Sequence, residues 1–270
     1  MEQISEADKQ VAAIILVIGL CFVFIKVAYE YFLGERFTLF NLLHPVKKIT
    51  GKERQFIANN VRPFHDLHPE QKRVFLKRFA WFKSKKPFVF YGAIANEEEI
   101  KAYVSASAVL MTLGMVNFRF EKSISRIIVY PSSYHSKIKN NHHIGEYNPR
   151  LKILVFSAEG LQKGFQIPND GINLGIHEVA HALTFEMLKK SSYEAKRFRM
   201  GLKKLNAVYD SPGFKEELEQ SNYLRAYAAT SFFEFFAILS ENFFESPERL
   251  KSHFPKSYFY LSRMLNLLNN

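Results

Sequence analysis

Two histidines four residues apart bracket a glutamate in the segment His177-Glu178-Val179-Ala180-His181. Side chains at i and i+4 share one face of a helix, so both imidazoles can bind a single metal ion. Glu178 lies one step round the helix and stands beside such an ion without ligating it. From there its carboxylate can take a proton from water that the metal has acidified. Helix geometry sets the spacing; ligation and proton transfer set the residue types. So short a motif also arises by chance. Here Ile176, Val179, Ala180, Ala182 and Leu183 are all apolar, as a helix beneath an active site requires.

A catalytic zinc takes three protein ligands and keeps one position open. A metzincin-type continuation needs glycine and histidine where the chain has Thr184 and Met187, and a thermolysin-like third ligand would fall at Gly201. The third ligand is therefore expected further on. In the stretch 227–241, Glu234 and Glu241 share one helical face among phenylalanines. Burying an unpaired carboxylate there is costly, and a metal ion or a bond to a metal-bound histidine removes that cost. Sequence leaves open which glutamate does which. His142 and His143, adjacent in the segment NNHHIG, read as surface residues, because neighbours on a loop chelate one ion poorly. His44, His65, His68, His135 and His253 show no ligand spacing.

The elements that must hold these side chains follow from periodicity. From Pro69 the pattern is helical, with Phe75, Phe79 and Phe82 on one face and Arg78 and Lys83 left for solvent. Pro87 stops that helix before a short strand, 88–91. Asn96 reads as the N-cap of a helix reaching about Leu113, with three glutamates in its first turn. Strands are expected at 126–130 and 152–156, with a polar loop from 132 to 150. After Asp170 the chain reads as helical almost to its end, broken near Pro212, Pro247 and Pro255. A few strands followed by a mostly helical half predict an α+β fold. With 27 Phe and 15% aromatics, its core is expected to be rich in phenylalanine.

Val11 to Ile25 carries no charge, and a span of about 11–33 meets the roughly 20 residues a bilayer needs. Lys26 can snorkel, and Tyr29, Tyr31 and Phe32 suit an aromatic belt. The acidic flank MEQISEADKQ argues for a retained transmembrane helix over a cleaved signal. Lys26, Arg36, Lys47, Lys48, Lys52 and Arg54 follow the span and only Lys9 precedes it, so the large domain is expected in the cytoplasm. The expected division is an N-terminal segment 1–40, a juxtamembrane connector 41–54 and a metallopeptidase domain 55–270.

Cys21 is the sole cysteine, which excludes an internal disulfide and any all-cysteine metal site. The net charge of +11 comes from scattered residues, the densest cluster being Lys83, Lys85 and Lys86. Neither zinc-finger spacing nor an RNA-binding aromatic signature accompanies it. Nucleic acid is not an expected partner; an anionic inner leaflet accounts for the charge.

Four segments, RIIVYP (126–131), KILVFS (152–157), DGINLGIHEVAHAL (170–183) and YAATSFFEFFAILSENFFESPERL (227–250), together resemble the Mlc titration factor A family of zinc metallopeptidases. The resemblance runs loosely over residues 55–260 and implies a zincin-type domain with one gluzincin-like Zn2+ site. It implies His177, His181 and Glu234 as ligands, Glu178 as general base, and Tyr227 as donor to the oxyanion of the tetrahedral intermediate. One departure is Ala182-Leu183-Thr184, where many members carry Lys-Leu-Asp. The expected function is a membrane-anchored, zinc-dependent peptidase acting on peptides or flexible protein segments. Strand 152–156 is expected to hold substrate by strand addition. The alternative is a regulatory protein that sequesters a partner such as a transcriptional repressor, with zinc mainly structural.

Overall fold

The computed structural model describes residues 5–33, 43, 45–116, 118–136 and 141–267, without the side chains of 30–33 and 136. The side chains of Tyr31 and Phe32, expected in the aromatic belt, and residues Arg36 and His44 lie outside what is described. The chain divides into two compact units, Met1–Pro45 and Val46–Asn270.

The first unit contains helix α1, Glu6–Leu33. Its segment Glu6–Tyr29 is 24 residues long, its most apolar 18-residue stretch has mean hydropathy 2.9, and its apolar side chains are exposed. At 1.5 Å per residue it exceeds the roughly 30 Å of a bilayer's hydrocarbon core. By length and composition α1 is apolar enough to cross a membrane.

The second unit opens on α2, Gly51–Asn60, closed by a capping box in which Thr50 Oγ1 accepts the Glu53 N–H at 3.2 Å and Glu53 accepts the Thr50 N–H at 2.7 Å. That helix begins inside the stretch expected as connector. After the single turn α3, Arg62–His65, comes α4, Pro69–Lys85, with Phe75, Phe79 and Phe82 buried as the periodicity predicts. Its polar face departs from expectation. Arg78 donates to the carbonyls of Thr112, at 2.6 Å, and Met115, while Lys83 pairs with Glu53 and Glu98. The reason is that α4 packs on α5, Glu97–Leu110, and the end of α5 leaves carbonyls needing donors. Asn96 occupies the N-cap of α5 but makes no capping bond with its side chain.

Three parallel strands, β1 (Phe88–Phe90), β2 (Arg126–Tyr130) and β6 (Ile153–Ser157), form one sheet. The region expected as a loop supplies three more strands: β3 (Tyr134–Ser136), β4 (Asn141–His143) and β5 (Gly145–Asn148). β3 and β4 form a separate antiparallel hairpin, and β5 adds antiparallel to β6, giving the order β1-β2-β6-β5. These strands are short and polar, so alternation could not announce them; pairing does. The order also corrects the strand expected to hold substrate: β6 has neighbours on both sides, and the edges of the sheet are β1 and β5.

From Ala158 the chain is helical: α6 (Ala158–Gln166), α7 (Leu174–Lys189), α8 (Tyr193–Tyr209), α9 (Phe214–Ser221), a 3-10 turn (Ala226–Ala229), α10 (Phe232–Glu245), α11 (Pro247–His253) and α12 (Pro255–Leu265). The result is an α+β unit, mostly helical with a small sheet. Phe75, Phe79, Phe120, Phe156, Phe198, Phe235 and Phe236 are fully buried, which makes the core phenylalanine-rich as composition required.

Candidate metal centre

Helix α7 is capped by Asn173, whose side-chain oxygen accepts the Ile176 N–H at 3.0 Å. Ile176, Val179, Ala180 and Leu183 are buried, which fixes the rotation of the helix and turns His177 and His181 towards α10. Helix α10 has its own cap, Ser231 Oγ accepting the Glu234 N–H at 3.2 Å, and this sets Glu234 in the first turn.

The two helices bring three donor groups together. His177 Nε2 lies 3.3 Å from His181 Nε2 and 3.1 Å from Glu234 Oε2, and His181 Nε2 lies 3.6 Å from Glu234 Oε1. All three ligand atoms fall within 4.8 Å of one another. Two imidazoles and a carboxylate are the donor set of a His2Glu zinc site, so these residues fit a divalent ion. Burial by itself disfavours charge on His177, yet Glu234 and Glu241 outweigh it and raise its pKa to about 10. Burial would also lift Glu234, but the two imidazoles hold its carboxyl well below the usual range. The centre of the cluster favours positive charge.

Glu241 sits behind the cluster, almost wholly buried. His177 Nδ1–H donates to its Oε1 at 2.8 Å, Arg225 donates to the same oxygen, and the Asn173 N–H donates to Oε2 at 2.5 Å. One carboxylate therefore ties the N-cap residue of α7 to the imidazole a turn later. Such a contact fixes the tautomer and orientation of a ligating ring.

The cluster opens into a cavity of about 450 Å³, lined also by Glu178, Ile144, Gly145, Tyr227 and Phe233. Glu178 is buried. Gly145 on β5 passes so close that a Cβ there would lie 2.9 Å from Glu178 Oε1 and 2.5 Å from Leu174 Cδ1. Tyr227, on the 3-10 turn, is half exposed. Burial, then the charges of Glu234 and Glu178, push its phenol up, which keeps it a proton donor. His142 and His143 also line the cavity; His142 is exposed as expected, but His143 is half-buried, and both sit on strand β4 rather than a loop.

A family model described as glucose-regulated metallo-peptidase M90 matches residues 42–265. The chain belongs to this family. It is 31% identical over 121 residues to Mlc titration factor A of Serratia proteamaculans (strain 568), a stretch that covers 41% of this chain and 44% of that protein. The alignment thus spans less than half of that relative. The chain is also 21% identical over 226 residues to the uncharacterized protein slr2042 of Synechocystis sp., covering 77% of this chain and 82% of the other. Membership of the M90 family implies a metal and a peptide substrate, and the His177, His181 and Glu234 group could hold that metal.

Several residues of this M90 site gave no warning in the sequence. Arg225 has no motif spacing, and Gly145 lay in a presumed loop. Asn173 alone carried a readable signal, an Asn directly before an apolar helical run. Glu186, on the far side of α7, is fully buried and accepts the N–H groups of Glu121, Lys122 and Ser123 at 3.0, 2.8 and 2.6 Å. It also pairs with Lys190 at 3.1 Å. Burial would raise its carboxyl, but Lys190 and these donors bring it below the ordinary value.

Proposed function

We propose that this chain is a membrane-anchored zinc peptidase, with His177, His181 and Glu234 as ligands and the large unit on the cytoplasmic side. The observation that carries the reading is the convergence of Glu234 with both imidazoles at 3.1 and 3.6 Å, while Glu241 takes the opposite ring nitrogen. When bound, zinc supplies Lewis acidity at the scissile carbonyl and acidifies water. Glu178 takes the proton of the attacking water and passes it to the leaving amine. The Tyr227 O–H donates to the carbonyl oxygen as negative charge develops there. Ile144, Gly145 and Tyr147 border the cavity on or beside the edge strand β5, which supports binding of an extended peptide by strand addition. The apolarity of α1 and the basic residues after it support the anchor and its orientation.

The test is metal analysis and peptide hydrolysis by the full chain in detergent, with and without chelator. One zinc per chain and chelator-sensitive cleavage are expected. A metal-loaded, folded protein that cleaves no peptide would instead support sequestration of a protein partner, the role that the name of the Serratia relative brings to mind.

A further inference from the structure

A second pair of imidazoles meets outside the cluster. On the hairpin of β3 and β4, His135 stands directly opposite His142. Their ring centres are 5.5 Å apart with planes at 81°. His177 and His181 stand 4.9 Å apart at 83°. The two pairs share one mutual arrangement, reached once across a hairpin and once along a helix.

That arrangement suits an ion. Bonds of about 2.1 Å from two imidazole nitrogens, set at a near-tetrahedral angle, leave ring centres roughly 5 Å apart. Both rings are exposed, and among the described residues neither has a hydrogen-bond partner for its nitrogens. Directly opposed residues of an antiparallel pair point to the same face, whereas successive residues on a strand alternate. His143 therefore projects away from the pair, and adjacency in sequence is not what builds the site.

We propose that His135 and His142 form a second transition-metal site at the rim of the cavity, open to Zn2+, Cu2+ or Ni2+. Imidazole selects these ions over magnesium or calcium, which prefer oxygen. With two protein ligands in place of three, the rim site fills at higher metal concentration than the His177 centre. Because His142 also lines the cavity, an ion held there obstructs the entrance, so metal in excess slows the entry of substrate. That consequence rests on the peptidase reading; the binding itself does not.

The test is calorimetric titration of the metal-free full chain in detergent with Zn2+, repeated with Cu2+ followed by its visible absorption. Two phases are expected, one tight and one weaker. His135→Ala and His142→Ala should each remove the weaker phase and keep the tight one, whose persistence shows that the fold is intact. His177→Ala should do the reverse. A single phase in the native chain, or a weaker phase that survives both hairpin substitutions, overturns the site. For obstruction, excess Zn2+ should inhibit hydrolysis in the native chain and not in His135→Ala; equal inhibition in both overturns the obstruction. Absence of hydrolysis in every variant defeats the peptidase reading, while the titration still decides the rim site.

Discussion

His177 Nδ1 lies 2.8 Å from Glu241 Oε1, so the ring nitrogen facing away from the cluster is held by a buried carboxylate. Arg225 and the Asn173 N–H hold that carboxylate in turn. Glu241→Gln keeps the size of the side chain but removes its charge. It should weaken zinc affinity by about 10–100-fold without abolishing binding. Glu234→Ala, which deletes a donor, should lose the ion under the same conditions. Competition against a zinc indicator separates the two; equal losses would refute the division of roles.

Glu178 lines the cavity beside the donor cluster without joining it. Glu178→Gln should retain one metal per chain and lose at least about 10²-fold in kcat, the usual scale of a missing general base. Metal analysis and hydrolysis on the same preparation check this. Native activity in the variant would remove Glu178 from the mechanism.

Glu186 secures the opposite side of α7 by accepting three backbone N–H groups and pairing with Lys190. Its truncation to Ala leaves those three N–H donors without their acceptor and Lys190 without its carboxylate, with only the Arg119 carbonyl still accepting from it. Stability should fall by about 3–5 kcal/mol. Urea unfolding of Glu186→Ala measures it, and a loss below 1 kcal/mol, on the order of a surface pair, would show that the contacts are weak.

Burial raises Glu245, and the neighbouring Asp170 raises it further, to about 7, against an ordinary 4.5. The folded state thus keeps a proton that the unfolded chain releases. Stability from this group is fully present below about 4.5 and declines as pH rises through about 7. Discounted for partial solvent screening, the change is on the order of 1–2 kcal/mol. Unfolding midpoints between pH 5 and 8 should drop in the native chain and flatten in Glu245→Gln. An identical slope in both would assign the dependence to another group.

Much of this site was legible in residue order because helices are local. The spacing of His177 and His181 fixes their shared face, and the apolar residues around them fix which side is buried. The periodic phenylalanines of α4 could be read for the same reason. What distinguishes Glu234 from Glu241 is the rotation and height of α10 against α7, and seven-residue spacing places both acids on one stripe. Only packing chose which reaches the cluster and which reaches the back of His177. The hairpin and edge strand were invisible for a related reason. Strand pairing is decided between segments, and Tyr134–Ser136, Asn141–His143 and Gly145–Asn148 are too short and polar to show it. Sequence by itself determined the helix that carries both imidazoles, the apolar N-terminal helix and the α+β class, all set by short-range periodicity. Tertiary structure alone decided which glutamate joins the two imidazoles, the edge position of β5, and the meeting of His135 with His142, because each depends on distances between segments that no local pattern encodes.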